Sequence, residues 1–256
     1  VLAALRPNTR GLFVESPANP LLSVTDLRTM AEIANTHNLL AITDNTFMSP
    51  YLQRPLAFGF DIVVHSATKF LGGHSDVVAG LAVTRDILIG RKLKQIQNAF
   101  GAILGPQDSW LLLRGIKTLS VRLDAQQATA DKLARWLATR KEVKRVYYPG
   151  LETHPGHVTH LSQARGGGAV FSFELENGPT AVDFMKRVKL PLVAVSLGGV
   201  ESILSYPTTM SHAAMPQYER HARGISDGLM RFSAGLESAD DLTDDFTAAL
   251  DGIAQR

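Results

Sequence analysis

The sequence predicts an α/β protein with a mostly parallel sheet, followed by a smaller C-terminal α+β domain. Three observations predict this. The apolar runs at 11–15, 39–43 and 60–64 are continuous rather than alternating, as in strands buried on both faces. Each run ends in a short polar loop, so the loops collect at one edge of the sheet, where open α/β folds place ligands. A segment with helical periodicity lies between the first two runs and completes a βαβ unit.

In chain order, Gly11 to Glu15 reads as a strand closed by Ser16-Pro17-Ala18-Asn19-Pro20. A helix is predicted from Ser23, because Ser23 and Asp26 have capping-box spacing and Val24, Leu27, Ala31 and Ala34 share a face. Leu39 to Thr43 is the next strand, Phe60 to Val64 the third and Ala79 to Thr84 the fourth. Asp86 to Asn98 reads as a helix. Gln107 to Leu123 reads as one long apolar helix that continues or restarts through Leu137. The apolar residues around Trp110 to Leu113 suit either domain core or a subunit contact. After a short strand at 143–148, Gly168 to Leu175 partly alternates and is expected to pack on one face only. Helices near 180–187 and 218–223, strands near 192–195 and 229–233, and a last helix complete the second unit. The sheet is expected to be incomplete, because few strands precede residue 69 and Val1 to Leu5 reads as the end of a helix.

Composition excludes several function classes. Of 256 residues 45% are hydrophobic and 20% charged, the balance of a globular enzyme. A net charge of +2 with no basic stripe gives no sign of a nucleic-acid partner. No apolar stretch approaches a membrane span, and no secretory signal is visible. The absence of cysteine excludes thiolate chemistry and fits a reducing cytoplasm. His154, His157 and His160 are evenly spaced, but Pro155 and Gly156 break any helix that would align them, so they read as a polar loop and no metal site is predicted.

The chemistry gathers around His65-Ser66-Ala67-Thr68-Lys69-Phe70-Leu71-Gly72-Gly73-His74. A lysine at the mouth of a buried strand is costly unless its amine is used. An imine with an aldehyde cofactor uses it. Pyridoxal phosphate asks for three further groups. An anion must sit near the pyridine nitrogen, and Asp44 ends a neighbouring strand. Hydroxyls must meet the phosphate, and Ser66 and Thr68 flank the lysine. A cation must meet the substrate carboxylate, and Arg231 sits in the strand-like Leu229-Met230-Arg231-Phe232-Ser233. Taken singly, Asp44, Ser66 and Thr68 suit ordinary turn chemistry equally well.

Together they match a family. Glu15-Ser16-Pro17-x-Asn19-Pro20, Asp44-Asn45-Thr46-Phe47, Ser66-Ala67-Thr68-Lys69-Phe70, His74-Ser75-Asp76-Val77-Val78-Ala79-Gly80, Ser196-Leu197-Gly198-Gly199-Val200-Glu201-Ser202 and Arg231-Phe232-Ser233-x-Gly235-Leu236-Glu237 occur in that order. Over nearly its whole length the chain resembles the Cys/Met-metabolism pyridoxal phosphate enzymes: cystathionine β-lyase, γ-lyase, γ-synthase and methionine γ-lyase. The resemblance implies the type I fold of pyridoxal phosphate-dependent transferases. Residues 1–118 would be the C-terminal part of the large cofactor domain and 119–256 the small domain. Lys69 would form the imine and shuttle protons between Cα, Cβ and C4′ of the cofactor. Asp44 would pair with the pyridine nitrogen, Thr46 support the ring, and Ser66 and Thr68 bind phosphate. Arg231 would clamp the α-carboxylate with help from Ser196 and Asn19, its planar fork suiting a carboxylate. The partners implied are a small amino-acid substrate and further copies, in a cytoplasmic homotetramer of dimers with shared sites. The family's stacking aromatic, phosphate loop and inter-subunit arm have no counterpart from Val1 onward, so the chain is expected to match the C-terminal two-thirds of such an enzyme and to hold an incomplete site.

Within the family the residues favour a β-lyase acting on cystathionine, with the γ-acting enzymes next; a non-catalytic homologue would be favoured by loss of Lys69 or Asp44, and both are present. In many γ-lyases and γ-synthases a Glu precedes the serine matching Ser196, whereas here it is Val195. Val195→Glu supplies an anion for a distal amino group and is expected to raise 2-oxobutyrate relative to pyruvate from cystathionine. An unchanged product ratio contradicts this.

Overall fold

The computed structural model describes residues 1–254. Two sheets organise it. The first has four strands in the order β1 (Gly11–Glu15), β2 (Leu40–Asp44), β3 (Ile62–Ser66) and β4 (Gly80–Val83). The first three are parallel and β4 is antiparallel, so Glu15, Asp44 and Ser66 all end at the same edge. Glu15 lies in register with Asp44. As edge strands, β1 and β4 leave Phe13, Leu81 and Val83 in solvent, so burial on both faces does not extend to the run at 11–15.

Helix α1 (Leu27–Thr36) covers this sheet through Leu27, Ala31 and Ala34. Its cap is Asp26, whose carboxylate accepts from Thr29 N at 3.1 Å, not Ser23. Ser23 is still extended and pairs with Ala18, which delays the helix. One short turn, α2 (Ser49–Leu52), follows β2, and α3 (Ile87–Phe100) follows β4, capped by Asp86.

The predicted long helix is two. Lys117 and Thr118 separate α4 (Pro106–Ile116) from α5 (Leu119–Leu137). The break is chemically satisfied: the Gly115 carbonyl accepts from the Thr118 hydroxyl and from Arg122 Nη2 at 2.9 Å. Leu112 is core, whereas Trp110 and Leu113 are 55% and 64% exposed, so that stretch divides between interior and surface.

The second sheet runs β5 (Arg145–Tyr147), β6 (Val170–Glu174), β9 (Leu229–Ser233), β8 (Ile203–Ser205), β7 (Leu192–Val193). Helices α7 (Gly178–Arg187) and α9 (Ala239–Ala254) join α5 against it. Phe171, Phe173, Phe184, Phe232 and Phe246 interlock there with ring centroids 5.2–6.2 Å apart. Helix α8 (Gln217–Ala222) lies between β8 and β9 in sequence.

Two expectations are corrected. β6 is buried on both faces, because Ser172 on its other side donates to the Pro20 carbonyl at 2.6 Å and brings the loop after β1 down onto it. The histidine segment is only partly a loop: His154 lies in a bend, but Gly156 caps α6 (His157–Gln163), which carries His157 and His160. β8 was not predicted at all.

A second cluster, with Phe70, Leu71, Leu112, Leu123, Val170 and Leu197, packs beneath the lysine turn. Gly115 of α4 touches that turn so closely that a Cβ would overlap the Gly72 carbonyl oxygen. Gly→Ala inside a helix ordinarily stabilises by about 1 kcal/mol. Gly115→Ala is expected to lower the denaturant midpoint instead, and a raised midpoint would contradict this packing.

Candidate functional site

The parallel edge of the first sheet and the outward face of the second enclose a cavity of about 520 Å³. Such a volume suits a small organic ligand. Glu15, Asn19, Asp44, Thr46, Ser66 and Lys69 line it from one side, and Ser196, Ser205 and Arg231 from the other.

Lys69 lies just beyond β3, and its Nζ donates to Ser196 Oγ at 2.7 Å. Burial, and after it the Arg231 cation, hold the Lys69 ammonium below the usual lysine range. Ser196 has φ of 83°, a left-handed conformation that is strained for a residue with a Cβ. That conformation lets one residue serve both sheets: its carbonyl accepts from Arg231 Nη2 at 2.6 Å.

Arg231 points into the cavity because β9 alternates. Met230 and Phe232 enter the aromatic core, so Arg231 takes the opposite face with its in-register neighbours Ser172 and Ser205. Its Nη1 donates to Asn19 Oδ1 at 2.9 Å and its Nη2 also to Ser205 Oγ at 3.1 Å. The guanidinium is 4% exposed, Nε has no partner, and among the described residues no carboxylate comes within ion-pair distance. Burial pushes its pKa down to about 10. A buried cation with only neutral acceptors is a receptor for an anion.

The opposite charge gathers at the strand ends. Asp44 Oδ1 accepts from Thr46 N at 2.8 Å, which fixes the carboxylate against the turn. Glu15 sits beside it and accepts from Asn19 N at 3.1 Å. Burial raises the Glu15 carboxyl; the Asn19 N–H opposes this and Asp44 adds to it. Thr46 Oγ1 accepts from Ser66 N at 2.8 Å and braces β3 against the turn after β2.

The expected residues therefore converge, with one exception. The Thr68 hydroxyl donates to Ala79 O at 3.2 Å and accepts from Ala79 N at 3.0 Å, and Thr68 does not line the cavity. It clasps β4 to the lysine turn. Sequence reasoning missed roles for Glu15, Ser205, Met210 and His212, which also line the cavity. A carboxylate closing an apolar run was the available signal for Glu15; Ser205 lay in the unpredicted strand. The histidines diverge. His157 Nδ1 meets Pro149 O, His160 Nε2 meets Gly166 O, and His154 Nδ1 accepts from Gly156 N. Among the described residues no cluster with metal-binding geometry occurs.

A family model described as Cys/Met metabolism PLP-dependent enzyme matches residues 1–251. The chain belongs to this family. It is 56% identical over 254 residues to a cystathionine beta-lyase of Bacillus subtilis, covering 99% of this chain and 65% of that protein. It is 49% identical over 250 residues to a cystathionine gamma-lyase of the same organism, covering 98% and 66%. The crystal structure of cystathionine gamma-lyase from Lactobacillus plantarum, complexed with L-serine, superposes with a TM-score of 0.95 at 44% identity, covering 98% of this chain and 66% of that one. The chain thus spans 65–66% of the length of these relatives.

The family's cofactor, pyridoxal 5′-phosphate, fits the donor set. An amine of lowered basicity, an anchored carboxylate one strand away and an uncompensated guanidinium share one cavity.

Lys69 also leaves a mark on stability. Its folded pKa lies below its unfolded value, so between the two the unfolded chain binds more protons and stability rises with pH. In cofactor-free protein, Lys69→Met removes this dependence. The urea midpoint of the variant relative to the parent should be highest near pH 7 and the gap should narrow towards 10.5, the ordinary lysine value; a gap independent of pH contradicts the assignment.

Proposed function

We propose that the protein is a pyridoxal phosphate-dependent carbon–sulfur lyase of sulfur amino-acid metabolism, acting on cystathionine by β-elimination to give homocysteine, pyruvate and ammonia. The observation that carries the reading is the Lys69 amine, held by Ser196 between an anchored Asp44 and a buried Arg231 that lacks an anion. The 56% identical relative is a cystathionine beta-lyase, which supports the β-reaction. The γ-lyase relative supports the alternative of γ-chemistry on the same machinery.

When bound, the cofactor supplies an electron sink for the bonds at the substrate's Cα. Asp44 holds a negative charge where the pyridine nitrogen needs one, and Thr46 keeps that carboxylate in place. Ser66 is the cavity-lining hydroxyl beside the lysine and offers itself to the phosphate; Thr68 acts behind it through Ala79. Arg231 binds the α-carboxylate, with Asn19 and Ser196 fixing the plane of its fork. Lys69, less basic than an exposed lysine, would hold the cofactor and, as the free amine, would take the Cα proton and return a proton to the departing sulfur.

We further propose a domain boundary between residues 118 and 119, at the start of α5, and a homotetramer of dimers with shared sites. Exposed Phe100, Ile103, Trp110 and Leu113 supply apolar area for contacts between copies. Cytoplasmic location fits the lack of cysteine. No helix among the described residues is long and apolar enough to cross a membrane.

The test is to assay the complete protein on cystathionine, cystine and methionine with product identification, alongside borohydride reduction and peptide mapping. Pyruvate from cystathionine and a cofactor adduct on the Lys69 peptide are expected, both lost in Lys69→Ala. An adduct elsewhere, or no adduct, sinks the reading.

A further inference from the structure

Two titratable residues in the cavity wall, Glu15 and His212, have no part in the mechanism above. His212 lines the cavity with Ser211 and Arg231. Its Nδ1 is 2.9 Å from Ser211 Oγ. The loop that carries it is fastened at both sides: His212 N donates to Pro207 O and Met215 N to His212 O. The following helix α8 is pinned by Arg220 Nη2 to Asp227 Oδ1 at 3.0 Å and by Gln217 Nε2 to Asp227 Oδ2 at 2.8 Å. The loop backbone on either side of His212 is therefore tied down.

The charged groups that act on it are cations: Arg231 on β9, Arg220 on α8 and Arg223 in the residue after α8. Lys69, Glu15 and Asp44 share the cavity. Arg220 is matched by Asp227, whereas Arg231 has no carboxylate. With no anion bound, burial and then these three arginines hold the imidazole below its usual range. An anion seated on Arg231 would oppose both influences, by offsetting that positive charge and by offering an acceptor to the charged ring.

We propose that His212 is the second cation of the carboxylate clamp: when an amino-acid carboxylate seats on Arg231, the imidazole takes up a proton from solvent, donates through Nε2–H to that carboxylate and through Nδ1–H to Ser211 Oγ. The proposal deepens the functional reading above and rests on its assignment of Arg231. The substrate class it selects is a free amino acid with an unblocked carboxylate, held by two cations of which only one is permanent. Binding then strengthens as pH falls, because protonation and carboxylate binding favour each other.

The test uses the complete holoenzyme and 3-(methylthio)propionate, a thioether carboxylate with no amine to displace Lys69. Calorimetric titration in two buffers of different ionisation heat counts protons taken up near pH 7, and visible absorbance followed in parallel reports any proton change at the cofactor. Fractional proton uptake is expected, with affinity falling several-fold from pH 6 to 9, towards a limit of about 10-fold for each unit by which the imidazole pKa rises on binding. His212→Asn and His212→Gln should each abolish the uptake and flatten the pH profile, and Arg231→Met should abolish binding. Uptake that persists in both His212 variants, or is absent while the parent binds the probe, overturns the proposal and leaves the Arg231 assignment standing. Binding that survives Arg231→Met overturns that assignment, and the proposal with it.

Discussion

The site depends on Ser196, which joins a lysine from one sheet to an arginine from the other. Its hydroxyl accepts from Lys69 and its carbonyl from Arg231. To do both it adopts a left-handed backbone conformation, which costs on the order of 1–3 kcal/mol for a residue with a side chain. Arg231 is costly in its own right, since desolvating an ion takes several kcal/mol even after relaxation. Asn19, Ser196 and Ser205 offset part of that cost, but no carboxylate among the described residues does. Two cores keep these strained groups in place: the aromatic cluster behind β9 and the apolar cluster beneath the lysine turn.

Charge is sorted across the cavity. The parallel strand ends contribute the carboxylates Glu15 and Asp44. The second sheet contributes the cation Arg231. Lys69 lies between them. A zwitterionic ligand meets a negative wall and a positive wall without either being neutralised by the protein itself. This is the preorganisation that electrostatic catalysis needs, because the dipoles and charges are in position before the ligand arrives. Close backbone packing supports it from behind, with Gly115 against Gly72 and the Arg122 guanidinium beneath Gly73.

Local sequence carried much of this. The parallel strands were readable as continuous apolar runs, and their polar terminations located Asp44 and Lys69. The motif order pointed to Arg231 and Ser196 although more than 120 residues separate them from the lysine. Strand limits drifted by one or two positions at β2 and β3, because apolar runs do not say where ladder pairing starts. The stretch 107–123 was read as one helix because nothing in its periodicity marks Lys117-Thr118. Near its break, Gly115 packs on Gly72, a residue far away in sequence.

By itself the sequence determined which groups were available and their spacing: one amine after a buried strand, a carboxylate at the end of the preceding one, and an arginine on an alternating strand. It determined this because side-chain chemistry and the two-residue period of a strand are local properties. Only the tertiary structure decided which of them share a cavity. It turned Thr68 towards Ala79, placed Glu15 beside Asp44, buried both faces of β6 under the Asn19-Pro20 loop and brought His212 next to Arg231. Those outcomes depend on how two sheets pack together, and packing between segments distant in the chain leaves no periodic trace in either one.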